Sequence, residues 1–145
     1  YVTSGVIKLP VNDPLAVRLK VLAESLDQII SEYQPTLAVI EQVFMAKSAA
    51  SALKLGQAGG TVMVVCALAD LEVHEYATRQ IKQAVVGTGG ASKAQVQHMV
   101  TRLLKLPSTP KEDASDALAA ALCHISGAAV RQATGAQAFA TGRLK

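Results

Sequence analysis

Pro35-Thr-Leu-Ala-Val-Ile-Glu41 is the stretch whose reading decides the fold class. Leu37 to Ile40 form an unbroken apolar run between a proline and a carboxylate. A run that short and continuous suits a strand covered on both faces, as in a parallel sheet flanked by helices. Upstream, Asp13-Pro14 opens a helix: Asp13 is placed to accept from the first free amides, and Pro14 suits the first helical position. Leu15, Leu19, Leu22, Leu26, Ile29, Ile30 and Tyr33 follow at helical spacing. Gln34-Pro35 ends that helix, because a residue before proline is pushed out of the α region. The opening residues, Tyr1 to Lys8, read as a short strand that starts abruptly.

Downstream, residues 49–71 read as a second helix with Gly56-Gln-Ala-Gly-Gly60 inside it. Each interior glycine costs about 1 kcal/mol relative to alanine. Close approach of another backbone, from the same subunit or a partner, would offset that cost. Glu72 to Ala77 reads as a further strand, and a glycine-rich loop follows at 86–90. Ser92-Lys-Ala-Gln95 has the capping-box pattern, and Val96, Met99, Val100, Leu103 and Leu104 give the next helix its apolar stripe. Leu106-Pro-Ser-Thr-Pro110 breaks that helix, and a last one runs over about 111–129. Strands alternating with helices imply an α/β layered domain. The domain is expected over residues 1–130, with 131–145 as a flexible Gly/Ala/Gln-rich tail.

At 145 residues, half of them apolar, the chain is long enough for one buried core. Its net charge of +3 is compatible with a polyanion partner without demanding one. No apolar run reaches the roughly 20 uncharged residues of a membrane span. The chain opens on Tyr1 rather than methionine, and no basic-then-apolar leader pattern is visible. Cys66 and Cys123 are far apart and outside any CxxC pair, so buried thiols in a reducing cytoplasm are expected.

Three carboxylates abut apolar sequence. Glu41 ends the Leu37–Ile40 run, at the strand rim where α/β proteins usually place ligands. Asp113 and Asp116 are three apart in the first turns of the last helix, so their side chains project in similar directions. On spacing alone two readings stand. Helix-start aspartates serve as caps and dipole partners, and a strand-end glutamate is commonly solvated. Brought together, the three would suit Mg²⁺, which prefers carboxylate oxygen and water. Other sites fail: Gly87-Thr-Gly-Gly-Ala-Ser-Lys93-Ala94 lacks both the final glycine and the hydroxyl of a phosphate loop. His74, His98 and His124 lack zinc spacing.

Longer strings carry a family resemblance. Ile40-Glu-Gln-Val-Phe-Met-Ala-Lys47, Ser51-Ala-Leu-Lys-Leu-Gly-Gln-Ala58, Lys93-Ala-Gln-Val-Gln-His-Met-Val100, Leu103-Leu-Lys-Leu-Pro107 and Asp113-Ala-Ser-Asp-Ala-Leu-Ala119 occur in order. From about Tyr1 to Ser126 the chain resembles the RuvC family of Holliday-junction resolvases. The resemblance implies an RNase H-like fold, a mixed five-stranded sheet flanked by helices. It also implies a homodimer that nicks four-way DNA junctions symmetrically, using two Mg²⁺ per active site and working beside the RuvA–RuvB branch-migration complex in the cytoplasm.

Of the four acidic ligands in that family, three correspond to Glu41, Asp113 and Asp116. The fourth belongs to a first strand, expected upstream of Tyr1 and absent from this chain, which as given is expected to be inactive. Lys82 and Lys93 resemble the lysines beside the site, Phe44 the loop aromatic that stacks on a base, and Lys47 a phosphate contact. Gly59 departs from close relatives, which often carry arginine there. Two alternatives are a catalytically inactive junction-binding dimer and an unrelated α/β interaction domain.

Overall fold

The computed structural model describes residues 1–42 and 48–134, with side chains through residue 127. Seven elements follow in chain order: α1 (Leu15–Tyr33), β1 (Leu37–Gln42), α2 (Ala49–Leu68), β2 (Glu72–Ala77), α3 (Thr78–Val86), α4 (Lys93–Leu103) and α5 (Glu112–Thr134). β1 and β2 pair in parallel, with Glu41 opposite Tyr76 and Gln42 opposite Ala77. A parallel pair requires a crossover, and α2 provides it. α1 packs on α2, while α3, α4 and α5 pack on one another, and α5 also meets β1.

Side-chain alternation along the strands divides the sheet between two layers. Val39 and Tyr76 face the core formed by Ile81 and Val85 of α3, Val96 and Val100 of α4, and Ala119, Ala120 and Cys123 of α5. Alanines at the α5 contacts let three helices approach closely around the fully buried Val100. Cys66 and Cys123 are both buried free thiols, and burial pushes each above its ordinary pKa.

Several expectations are corrected. Residues 1–10 are not a strand. A strand needs a ladder partner, and none of the described residues supplies one. Pro14, extended at φ −53° and ψ 147°, takes the N-cap position of α1. Asp13 is therefore one residue too early to reach the free amides, and no side-chain cap bond forms. The second helix stops at Leu68, short of the residue 71 that its apolar pattern suggested. Asp70 turns left-handed at φ 56°, and the Leu71 N–H donates to the Cys66 carbonyl at 3.0 Å.

The strand-then-loop reading gave no sign of α3, which ends at Val86 with Gly87 as its C-cap. At φ 89° that position favours glycine. α5 extends to Thr134, beyond the expected residue 129. The five-stranded mixed sheet is present among the described residues as two parallel strands. The edge of β1 away from β2 has no ladder partner among them.

α2 also departs from expectation. By length and composition it could cross a membrane, although Lys54 lies within it. Leu53 and Leu68 are 65% and 80% exposed. A Cβ placed on Gly56, Gly59 or Gly60 would meet nothing within 4 Å, so no backbone among the described residues explains those glycines.

Candidate active site

β1 delivers Glu41 to the C-terminal end of the sheet, one residue before the strand's last. Asp113 lies in the first turn of α5, and Asp116 follows one turn on. The packing of α5 against β1 brings these elements together. Glu41, Asp113 and Asp116 line one cleft beside the open edge of β1, between Val62 of α2 and Ala117 and Ala120 of α5. Glu41 and Asp116 also line a second cleft with Thr78, Lys82 and Lys93, floored by Ile81. These two carboxylates therefore border both an acidic and a basic recess.

The electrostatics follow from that placement. Burial raises the Asp116 pKa, and the negative charge of Glu41 raises it further, with Lys93 opposing in part. Lys93, the first residue of α4, pairs with Glu112. The hydrogen bond and charge of Glu112 raise its pKa, so Lys93 is held as a cation. Both partners are exposed, and water screens such a pair, so an incoming anion can displace the carboxylate. The N-terminus of α4 is fixed by the expected capping box: Ser92 Oγ accepts from the Gln95 N–H at 3.2 Å, and Gln95 Oε1 accepts from the Ser92 N–H at 2.8 Å. Lys93 thus projects from a rigid start.

Thr78 and Glu112 were not picked out by sequence reasoning. Thr78 Oγ1 donates to Glu41 Oε1 at 2.6 Å across 37 residues of chain, which no local pattern signals. Glu112 adjoins Asp113 and was hidden in the acidic start of α5. Phe44 and Lys47 lie outside the described residues. His124 lies at the core edge: its Nδ1 is 3.0 Å from the Tyr76 hydroxyl, and its ring is 4.3 Å from that of His74. Eleven helical residues place it about 16 Å along the axis from Asp113, away from the carboxylates.

The half-buried Glu41 and Asp116 beside the exposed Asp113 offer hard oxygen donors, and a divalent cation would relieve the repulsion that, after burial, raises the Asp116 pKa. Among the described residues no three acidic, histidine or cysteine side chains are placed together so that they could hold a metal ion. Mg²⁺ commonly takes only one or two carboxylates and completes its shell with water and substrate phosphate, a donor set that the neighbouring Glu41 and Asp116 can supply.

Comparisons with known proteins agree with this architecture. Residues 1–124 match the family described as crossover junction endodeoxyribonuclease RuvC. The RuvC of Sodalis glossinidius is 54% identical over 147 residues, covering 100% of this chain and 84% of that protein. The RuvC of Teredinibacter turnerae is 56% identical over 149 residues, covering 99% and 84%. Among solved structures, Thermus thermophilus RuvC in complex with Holliday junction substrate superposes with a TM-score of 0.83 at 30% identity. That match covers 89% of this chain and 79% of the other. From the family match and the shared RNase H-like fold, the chain belongs to the RuvC family of crossover junction endodeoxyribonucleases.

Proposed function

We propose that the protein is a Holliday junction resolvase, an endonuclease that hydrolyses phosphodiester bonds at four-way DNA junctions with Mg²⁺ as cofactor. The observation that carries this reading is the meeting of Glu41, Asp113 and Asp116 in one cleft, bordered by the lysine-lined recess. The Thermus thermophilus relative in complex with Holliday junction substrate supplies the substrate class. Nothing in the comparisons favours the inactive junction binder.

Glu41, Asp113 and Asp116 would hold the divalent ions, two per site. When bound, the ions would supply activation of water and compensating charge for the departing 3′-oxygen. Lys82 and Lys93 line the neighbouring recess, where they would receive the scissile phosphate, with Lys93 exposed and its pair with Glu112 screened by water. Phe44 stacks on a base near the crossover, an interaction worth about 1–3 kcal/mol, and Lys47 contacts phosphate.

The test uses the full-length protein on synthetic four-way junctions and on linear duplexes of the same sequence. Paired, symmetrically placed nicks in the junction are expected with Mg²⁺ and none with chelator. Equal cutting of the duplex, or junction binding without cleavage in either Mg²⁺ or Mn²⁺, would refute the assignment.

Symmetric nicking requires two copies, since a two-fold junction presents two equivalent strands to a two-fold dimer. The exposed apolar residues of α2 and the open space over Gly56, Gly59 and Gly60 support α2 as the interface. Sedimentation of the full-length protein at micromolar concentration is expected to give a dimer, and a clean monomer would remove the symmetry argument. The partner machinery is RuvA–RuvB and the compartment the cytoplasm, as the family reading implies.

A further inference from the structure

We infer that Thr78 is a positioning residue for Glu41: its hydroxyl holds one carboxylate oxygen and leaves the other turned to the cation site. The inference rests on the proposed metal-binding role of Glu41 and goes beyond it in naming what fixes that side chain. Thr78 Oγ1 donates to Glu41 Oε1 at 2.6 Å, within the normal range for a hydroxyl on a carboxylate.

The contact follows from the sheet register. Glu41 lies opposite Tyr76 in the parallel pair, and Thr78 is two residues beyond Tyr76. The two-residue side-chain period therefore puts Thr78 on the same face as Glu41. β2 ends at Ala77 and α3 begins at Thr78, so the hydroxyl stands where strand becomes helix. That junction is itself tied down, with the Ala77 N–H donating to Gln80 Oε1 at 2.9 Å.

Both groups line the recess that contains Lys82, Lys93 and Asp116. A glutamate has three rotatable bonds, and an unrestrained one would sample positions away from Asp116. A β-branched threonine has few side-chain rotamers, so the donor is nearly fixed and the carboxylate is fixed through it. The role is that of an outer-shell partner, whose loss typically weakens metal binding about 10–100-fold.

The test is direct binding of Mn²⁺ to the full-length protein without DNA, followed by the electron-spin resonance of the free ion. Thr78 is exposed, so Thr78→Val keeps the β-branch and removes the hydroxyl without disturbing the core. Thr78→Val is expected to weaken Mn²⁺ binding at least about tenfold, and Thr78→Ser to stay within about threefold of wild type. Glu41→Gln separates this inference from the metal assignment beneath it. If Glu41→Gln weakens binding and Thr78→Val does not, the positioning role is wrong and the metal site stands. If Glu41→Gln leaves binding unchanged, both are wrong. A loss in the Ser variant alone would assign Thr78 to packing through its methyl group, and equal losses in both variants would show that the hydroxyl alone does not set the site; either result would overturn the inference. In the Glu41→Gln background, Thr78→Val is expected to add no further loss, and a full additional loss would also overturn it.

Discussion

Glu41→Gln in the full-length protein is expected to lower junction cleavage on the order of 10³-fold, or about 4 kcal/mol of transition-state stabilisation, while junction affinity changes little. The substitution preserves shape. A glutamine carbonyl oxygen still accepts from Thr78 Oγ1, so the side chain stays at the end of β1. Only the charge is lost. Affinity for a junction is mostly the sum of contacts to phosphates, and a carboxylate contributes nothing favourable to those. Removing it should leave binding unchanged or slightly tighter. Single-turnover cleavage in Mg²⁺ and gel-shift binding in chelator separate the two effects. A cleavage rate within tenfold of wild type would remove Glu41 from the catalytic centre, whatever its neighbours do.

The fold was legible where local chemistry was decisive. A short continuous apolar run between a proline and a charge suits a strand covered on both faces, so β1 and the Glu41 near its end could be read from Leu37 to Ile40. Ser92 and Gln95 announce the start of α4, and both reciprocal bonds form. Reading failed where a partner distant in sequence decides. Tyr1 to Lys8 has the composition of a strand but no ladder partner among the described residues. α3 buries only Ile81 and Val85, one turn apart among polar residues, a stripe too short to stand out.

The site divides along the same line. Asp113 and Asp116 could be caps or ligands on spacing alone, and only the packing of α5 on β1 brings them to Glu41. The family resemblance named the three carboxylates and two lysines. It did not reach Thr78 or Glu112, whose partners are separated from them by 37 and 19 residues.

Asp116→Asn is expected to act in opposite directions on stability and on turnover. In the metal-free protein the Asp116 pKa is raised above its ordinary value, first by burial and then by the Glu41 charge, with Lys93 opposing in part. A raised pKa means that the folded state binds the proton more tightly than the unfolded chain. The stability from that proton is fully present below the ordinary aspartate value and is lost as pH rises through the folded one. At neutral pH the ionised Asp116 therefore weakens the metal-free fold. Asparagine removes the charge at nearly constant shape, so in chelator the variant should melt above wild type at pH 7. The difference should narrow as pH falls through the aspartate range. Added Mg²⁺ should raise the melting temperature of wild type more than that of the variant, because only a bound ligand stabilises by mass action. Cleavage should fall on the order of 10³-fold in the same variant, as expected for loss of a charged metal ligand. Calorimetry at two pH values, with and without the ion, reads all of this from one pair of proteins. A variant that melts below wild type at pH 7 in chelator would show that Asp116 stabilises the start of α5 as a dipole partner. The carboxylate cluster would then be a helix start rather than a site held ready for a cation.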